Sequence, residues 1–322
     1  MPKLNPESQL ALTEGTLAEV LVAYGITDFT FTPIHSGIQN SSAYITSSGK
    51  NYVLRVYMHG HKSNDDIKRE IRFQDYLRSH GIPIPIIYPN SEGEELTVKK
   101  VVGDPHSRDW QMFLMEFIDG QNRTEQPTPG LIDELATLQA RMHLLGVEFA
   151  KIVAPGAHRW YDDLHDTHVA EVKEVPIPGQ EILNFIERIK AFRYPLGPEL
   201  PQGYNHLDLD FDGNVLVKNE KVAGIIDFDD LAYSPIIVCL GYAVYQMFLD
   251  HGIEVARQYL QTYEKIRPLL PTEKEALSHV VMFRNYALAA LRLRLWHENS
   301  HVERVMRNLE LETQIPKINF FA

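Results

Sequence analysis

Three aspartates occupy every second position in the stretch NHLDLDFDGNVLV, residues 205–217. Asp208, Asp210 and Asp212 are preceded by a histidine and followed by a Gly-Asn pair. Two carboxylates about 4 Å apart repel each other by roughly 4 kcal/mol at an effective dielectric constant near 20. The three side chains therefore either line the wet face of a strand or gather around a positive charge.

A second acidic cluster, Asp227, Asp229 and Asp230, follows further along the chain. Between the two clusters lie the apolar runs 214–217 and 222–228, joined by the residues KNEK, and this pattern predicts a hairpin. A hairpin brings its outer ends together, so we expect the two clusters to meet. Carboxylate oxygens with one amide are ligands that suit Mg2+, and the sequence therefore favours a metal site over a solvated strand face.

The order H-x-D…N, hairpin and IIDFDD resembles the phosphotransferase family of aminoglycoside and choline kinases, which includes type II homoserine kinases. The resemblance covers most of the chain and is most specific between residues 206 and 230. It implies an α+β, two-lobed protein-kinase-like fold, with an N-terminal antiparallel sheet lobe and a larger, mostly helical C-terminal lobe. It also implies ATP and Mg2+ as cofactors.

The same resemblance gives a role to each chemical group of the motif. Asp208 would be the catalytic base that orients or deprotonates the substrate hydroxyl, and His206 would brace the loop around it. Asn214 and Asp227 would hold Mg2+ against the nucleotide phosphates, and Asp229 would assist the metal shell.

Two features of this chain depart from the family pattern. The family usually places its asparagine five residues after the aspartate, whereas Asp208 and Asn214 are six apart. The longer loop leaves open whether Asp208 or Asp210 is the base. The family also often has an Asp-Leu pair after the metal motif, where this chain has Cys239 and Leu240, a change expected to affect only local packing.

The N-terminal third offers an independent test of the kinase interpretation. A kinase needs a cation on a strand to bind phosphates and a helix glutamate to hold that cation. Arg55 lies in the strand-like run YVLRVY, and Glu70 shares a helix face with Ile67 and Ile71. A carboxylate at the centre of an apolar stripe is costly unless it is paired, so Arg55 and Glu70 are predicted to form a couple rather than two unrelated surface charges.

The loop HSGIQNSSAY, residues 35–44, lies where a phosphate-covering loop belongs in this family. It lacks a full G-x-G-x-x-G sequence, but Gly37 supplies one glycine, and Ser36 and Asn40 are candidate hydrogen-bond donors. An ordinary hairpin turn is the alternative interpretation of this loop.

The segment FLMEFIDG, residues 113–120, fits the linker between the two lobes. By the resemblance, backbone groups of Glu116, Phe117 and Ile118 would bind the adenine edge. The expected domains are therefore a nucleotide-binding lobe over residues 1–118 and a catalytic, substrate-binding lobe over residues 119–322.

Hydrophobic periodicity predicts the elements that position these groups. The expected helices lie at 17–24, 63–80, 130–146, 179–192, 235–265 and 272–312. The expected strands lie at 29–34, 42–57 (a hairpin), 95–104 and 110–120, in addition to the hairpin between the acidic clusters.

Composition limits the class of partner. The 322 residues carry a formal net charge of −12, which argues against nucleic-acid binding and favours neutral or cationic partners. Cys239 is the only cysteine, so a disulfide framework is excluded. Without a recognisable signal peptide or membrane span, a cytoplasmic protein is expected, and the sequence does not reveal its oligomeric state.

Together these features predict an ATP-dependent small-molecule kinase that phosphorylates a hydroxyl group. The acids beside the catalytic loop favour an acceptor that also carries an amino group, such as an aminoglycoside, a choline-like alcohol or homoserine. The alternatives are a protein kinase of the same fold, a non-catalytic nucleotide-binding protein on this scaffold and a metal-dependent phosphohydrolase.

Overall fold

The computed structural model describes residues 9–34, 40–102, 104–123, 125–155, 180–192, 196–197, 199–294 and 299–322. The chain divides into two compact units. The first is Met1–Gly120 with Ala223–Ile226, and the second is Gln121–Val222 with Asp227–Ala322.

The first unit is built on an antiparallel sheet, as the sequence predicted. Its strands are β1 (Thr30–Ile34), β2 (Ser41–Ser47), β3 (Lys50–Val56), β4 (Ile87–Tyr88), β5 (Thr97–Lys100) and β6 (Asp109–Glu116). They pair in the order β1-β2-β3-β6-β4, and β5 also pairs with β6. The β2–β3 turn has positive φ at Ser48 (50°) and Gly49 (74°), which is typical of the tight hairpin turns that match strand twist.

Two helices cover this sheet. Helix α1 (Glu14–Leu21) runs into a 3-10 turn that ends at Gly25, where φ is 71°. Helix α2 (Asn64–Ser79) begins at Ser63, whose side chain accepts a hydrogen bond from the backbone N–H of Asp66. Ser63 is the N-cap because its hydroxyl reaches the third residue of the helix.

Alternation along β3 separates two apolar clusters. Leu54 packs in one cluster with residues of α1, whereas Val53 packs in the other with Ile67 and Ile71 of α2. Arg55 is two residues from Val53 and therefore lies on the sheet face that α2 covers. The predicted phosphate-binding cation is thus on the same side of the sheet as Glu70.

The second unit is mostly helical, which confirms the predicted fold class. Its helices are α3 (Pro129–Ile152), α4 (Gln180–Ala191), α5 (Ile236–His251), α6 (Ile253–Ile266), α7 (Pro271–Arg294) and α8 (Asn299–Gln314). The helix predicted over 235–265 is two helices, because Gly252 at a φ of 92° ends α5. No helix among the residues described has the length and apolar character needed to cross a membrane.

Two short strand pairs interrupt these helices. The predicted hairpin is present as β8 (Val215–Lys218) and β9 (Lys221–Ile225). The strands β7 (Gln202–Asn205) and β10 (Ala232–Pro235) were not predicted, since four residues are too few for a clear alternation. They pair antiparallel, with Asn205 opposite Ala232. The residues just after β7 and those just before β10 therefore lie at the same end of this small sheet.

A glycine on α3 fixes the position of β7. A Cβ atom at Gly146 would lie 2.1 Å from the backbone oxygen of Tyr204, so only glycine allows the strand to pack this closely against the helix. On the other side, the Asn205 amide donates to the backbone and hydroxyl oxygens of Ser234 on β10. β7 is thereby held on both sides, immediately before the acidic loop.

Candidate active site

The loop that follows β7 is anchored by His206. Its ring is buried, packs against Phe228 with 4.5 Å between ring centroids, and accepts the Asp208 backbone N–H at Nδ1 over 3.3 Å. Leu207, between them, has a φ of 64°, a conformation that costs a residue with a side chain about 1 kcal/mol or more. Burial of the Leu207 side chain holds the loop in this strained form.

Asn214 closes the longer loop back onto Asp208. Its side-chain Nδ2 donates to the backbone oxygen of Asp208 over 2.7 Å and to Oδ2 of the same residue over 3.0 Å. The six-residue spacing therefore does not separate the asparagine from the first aspartate. With its nitrogen used in this way, the amide of Asn214 presents Oδ1 as its oxygen donor.

Asp210 has a different environment from Asp208. Its carboxylate accepts the backbone N–H of Gly213, and its carbonyl oxygen accepts the N–H groups of Asn214 and Val215. Burial raises the pKa of Asp210 to about 7, the charge of Asp208 acts in the same direction, and the Gly213 bond opposes them. Asp210 thus closes the turn that carries Asn214, while Asp212 is exposed to solvent.

A cation that the sequence analysis did not identify binds Asp208. Nη2 of Arg284, on α7, donates to Oδ1 of Asp208 over 2.7 Å. The guanidinium carbon lies 4.5 Å from the centroid of the Tyr242 ring, and only 14% of the arginine side chain is exposed. Burial by itself lowers the pKa of Arg284, but Asp208 and Tyr242 outweigh it, and the pKa is raised above its usual value. The positive charge expected among the acids is therefore supplied in part by the chain itself.

The second acidic cluster continues from β9 to β10. Asp227 adopts a φ of 64° and, like Asp229 and Asp230, is half-buried. The charge of Asp230 also contributes to raising the pKa of Arg284. Pairing of β7 with β10 explains how the two clusters approach each other.

The residues predicted to hold a metal offer oxygen donors of the right chemistry. Asn214 presents an amide oxygen, and Asp227 and Asp229 present carboxylates, which together suit a hard cation such as Mg2+. In the part of the chain that the structure describes, no three His, Cys, Asp or Glu side chains form a metal-binding group by themselves. A metal here would therefore depend on the amide and on oxygens from outside the protein, which is usual for Mg2+ bound to phosphates.

In the first unit, Glu70 is buried and binds a cation that was not predicted. Its Oε2 accepts Nζ of Lys62 over 2.8 Å, and its Oε1 accepts the Tyr57 hydroxyl over 2.7 Å. Arg55 and Lys62 both lie over the Tyr57 ring, 5.8 and 5.7 Å from its centroid. Arg55, Lys62 and Glu70 therefore all lie close to Tyr57, and the direct pairing of Arg55 with Glu70 stays a prediction.

The remaining predicted positions come from the residues before β2 and from the residue after β6. Ser36 and Gly37 lie outside the described residues. Asn40 is buried and accepts the backbone N–H of Met58 over 3.0 Å, so its amide oxygen braces the chain after β3. Phe117 packs edge-on against Tyr44, with 5.6 Å between ring centroids.

Some backbone groups of the linker segment, residues 116–118, already form hydrogen bonds within the protein. The N–H of Glu116 donates to the backbone oxygen of Ile86, and its carboxylate accepts the Ile86 N–H. The backbone oxygen of Ile118 accepts the N–H of Gly120 over 3.0 Å.

Sequence reasoning missed Arg284 and Lys62 for different reasons. Arg284 is a single cation in the apolar run VVMFRNYALAAL, and a buried charge in such a run was a signal that a partner existed. The partner is 76 residues away, which no local pattern reveals. Lys62 lies in a polar loop, where nothing distinguishes it from other surface lysines.

Comparison with known proteins identifies the family. A sequence model of the phosphotransferase enzyme family matches residues 30–276, and the chain belongs to this family. A homoserine kinase of Bartonella tribocorum is 26% identical over 272 residues, covering 82% of this chain and 79% of that protein. A homoserine kinase of Xanthobacter autotrophicus is 28% identical over 287 residues, covering 87% and 84%.

Solved structures share the fold. The amicoumacin kinase hAmiN, in complex with AMP-PNP, Ca2+ and Ami, superposes with a TM-score of 0.73 at 18% identity, covering 94% of this chain and 95% of that chain. A microcompartment-associated aminopropanol kinase gives a TM-score of 0.62 at 16% identity, covering 92% and 93%. The predicted family and protein-kinase-like fold are thereby confirmed. So is the prediction of a phosphotransferase that acts on a hydroxyl group of a small molecule, and the family implies ATP as its phosphate donor.

Proposed function

We propose that the chain transfers the γ-phosphoryl group of ATP to the hydroxyl of a small acceptor that also carries an amino group. The observation that carries this proposal is the constrained Asp208, whose two carboxylate oxygens are bound by Arg284 and Asn214. A carboxylate fixed in this way, in a chain of the phosphotransferase family, is suited to orienting an attacking hydroxyl.

Asp208, rather than Asp210, is assigned as the catalytic residue. Asp208 would accept a hydrogen bond from the acceptor hydroxyl and take its proton as the oxygen attacks the γ-phosphorus. Asp210 is occupied with the backbone of Gly213 and Asn214, and supports the loop. His206 supports the assignment, because its ring holds the Asp208 backbone.

Asn214 and Asp227 are proposed to hold Mg2+, with Asp229 in support. The metal, when bound, neutralises phosphate charge and orients the phosphate oxygens. The side chain of Asn214 links this role to catalysis, since its nitrogen binds Asp208 and its oxygen remains for the metal.

The nucleotide would be bound by groups of the first unit. Arg55 and Lys62 supply positive charge for the phosphates, and Glu70 holds Lys62 in place. Because the N–H of Glu116 already donates to Ile86, it is not available as an adenine donor. The donor to adenine would therefore come from the N–H groups of Phe117 or Ile118.

The amino group of the acceptor is inferred from charge. Several carboxylates lie close to Asp208 in sequence or in space, and Arg284 contributes a single positive charge among them. A cationic group on the acceptor would be attracted to this surplus of negative charge. The homoserine kinases among the relatives make homoserine the first acceptor to test.

The test is a coupled assay of ADP release with MgATP and a panel of acceptors. The panel contains homoserine, 1-amino-2-propanol, choline and an aminoglycoside, and the phosphorylated product is identified by mass spectrometry. Asp208→Asn is expected to lower kcat by about 1,000-fold or more, in line with the loss of a catalytic acid–base group. Asp212→Asn is the matched control, because Asp212 is exposed on the same loop, and it should retain activity close to wild type.

Two results would contradict the proposal. One is an Asp208→Asn variant as active as the wild type, which would exclude Asp208 as the catalytic residue. The other is phosphate transfer to a protein such as casein with none to any small acceptor, which would favour a protein kinase of the same fold.

A further inference from the structure

Arg284 makes two contacts that restrict its movement. One edge of the guanidinium donates to Oδ1 of Asp208 over 2.7 Å, and the planar group lies 4.5 Å above the ring of Tyr242. Its side chain is 14% exposed, whereas that of Asp208 is 34% exposed. The arginine is thus the more buried member of the pair, and it approaches Asp208 from the helical core.

We propose that Arg284 is a positioning residue for the transfer reaction. It holds Oδ1 of Asp208, while Asn214 holds Oδ2, so that the carboxylate keeps one orientation as the acceptor hydroxyl arrives. This inference rests on the proposed function, and it adds to that function a residue from α7, outside the acidic loop.

Two contacts are needed because an exposed carboxylate is otherwise free to rotate. A carboxylate held at one oxygen can still rotate about its Cβ–Cγ bond, because that terminal torsion has a broad energy minimum. A second bond at the other oxygen removes this freedom, and catalytic groups need their geometry held to about 10–20°. Asp208 has such a bond at each oxygen.

The environment of Arg284 supports a functional role. Val281 and Phe283, on the same helix, are buried, so the position is one where an apolar residue would avoid the desolvation of a charge. Replacing a buried ion pair by apolar residues is often neutral or stabilising, so such a pair by itself contributes little to the stability of a fold. The charge here is directed at the proposed catalytic residue.

A purely structural ion pair and a positioning residue predict different kinetics. Loss of a structural pair lowers stability and the amount of folded protein, but leaves the kcat of the folded fraction unchanged. Loss of a positioning residue lowers kcat while the KM for ATP stays constant, because Arg284 touches Asp208 and not the nucleotide-binding groups. The two can also be separated by a double-mutant cycle with Asp208.

The experiment compares Arg284→Gln, Arg284→Lys and the matched control Arg292→Gln in the full chain. Arg292 is on the same helix but binds Asn308. The kcat of Arg284→Gln per folded molecule should fall by about 100-fold, the effect of misplacing a reacting group by about 1 Å. The kcat of Arg284→Lys should fall by only about tenfold, because lysine keeps the positive charge but loses the planar contact with the Tyr242 ring. KM for ATP should stay within twofold, and Arg292→Gln should keep the wild-type kcat.

In the double-mutant cycle, Arg284→Gln should cause little further loss in the Asp208→Asn background, because the residue acts through Asp208. A kcat of Arg284→Gln within twofold of wild type would overturn the inference. So would a double variant whose fold-loss of kcat equals the product of the fold-losses in the two single variants. If Arg284→Gln does not fold, the Arg284→Lys variant tests the inference instead. A wild-type kcat in Arg284→Lys would then overturn it. If the wild-type chain transfers phosphate to no acceptor, both the proposed function and this inference are overturned. If the wild type is active and Arg284→Gln has the same kcat, only this inference is overturned.

Discussion

At the residue scale, neighbouring side chains of the same type have separate tasks because of the atoms around them. Asp208 is bound at both oxygens by side chains, Asp210 accepts a backbone N–H, and Asp212 is exposed. The two oxygens of Glu70 likewise have different partners, since Lys62 donates to Oε2 and the Tyr57 hydroxyl donates to Oε1. Residue type and spacing in the sequence locate a cluster of charged side chains, but the role of each side chain depends on its contacts in the structure.

The first prediction concerns Lys62. Replacing Lys62 by methionine removes one of two cations beside Tyr57 and should raise the KM for ATP by about threefold to tenfold, equivalent to about 1 kcal/mol of phosphate binding. The KM for the acceptor should not change. Lys68→Met is the control, since Lys68 is exposed on α2, and steady-state kinetics with each substrate varied in turn make the comparison. Equal effects of the two substitutions would show that Lys62 has no part in binding the nucleotide.

At the element scale, local sequence predicts most helices and strands but not how distant ones meet. The capping residue Ser63, the β2–β3 hairpin and the β8–β9 hairpin follow from nearby residues, and the structure has each of them. The strands β7 and β10 were missed because each is four residues long and is stabilised by pairing with the other. Arg284 was missed for the same kind of reason, since its partner is on another element.

A glycine contact between α3 and β7 gives the second prediction. Gly146→Ala places a Cβ atom 2.1 Å from the backbone oxygen of Tyr204, which must move, and we expect a loss of about 3 kcal/mol in the free energy of unfolding. Activity should also fall, because β7 leads directly into His206 and Asp208. Gly130→Ala is the control on the same helix, where a Cβ atom meets nothing within 4 Å, and it should be neutral or stabilising by up to about 1 kcal/mol. Denaturant unfolding of both variants measures the difference, and similar stabilities would contradict the prediction.

The third prediction concerns the contact between α2 and the segment before β5. Burial raises the pKa of Glu95 to about 7, with further increases from its hydrogen bond to Asp75 and the charge of that residue, and Arg78 opposes them. Because the folded chain then binds this proton more tightly than the unfolded chain, stability decreases as pH rises from about 4.5 to about 7. Above pH 7 the loss is complete.

Glu95→Gln should therefore raise the melting temperature at pH 8 and leave it unchanged at pH 4. Solvent screens this site, so we expect a gain of about 1–2 °C, below what the full pKa shift would give. Glu92→Gln, at an exposed position in the same turn, is the control. A gain for Glu95→Gln that is equally large at pH 4 would show that the effect does not come from ionisation of Glu95.

At the scale of the whole molecule, the net charge of −12 means that the chain must hold a polyanionic nucleotide against an unfavourable long-range field. Arg55 and Lys62, which both lie over the Tyr57 ring, are proposed to offset part of this unfavourable field. The acids Asp227 and Asp229, which are proposed to hold Mg2+, would repel phosphates unless a divalent cation separates them. Nucleotide affinity of the intact protein should consequently depend on Mg2+.

The last prediction follows from binding linkage. A ligand at 100 times its dissociation constant stabilises a protein by about 2.7 kcal/mol, so MgATP should raise the melting temperature of the wild type by several degrees. ATP with excess EDTA should raise it less, because the acids then face the phosphates without a metal. In Asp227→Asn the stabilisation by ATP should be the same with Mg2+ as with EDTA, since the variant lacks the carboxylate proposed to hold the metal. Asp212→Asn, which changes an exposed acid by the same chemistry, should keep the full difference between Mg2+ and EDTA. A full Mg2+ effect in Asp227→Asn would show that the metal is held elsewhere, and would leave Asp227 as a residue of the loop rather than a ligand.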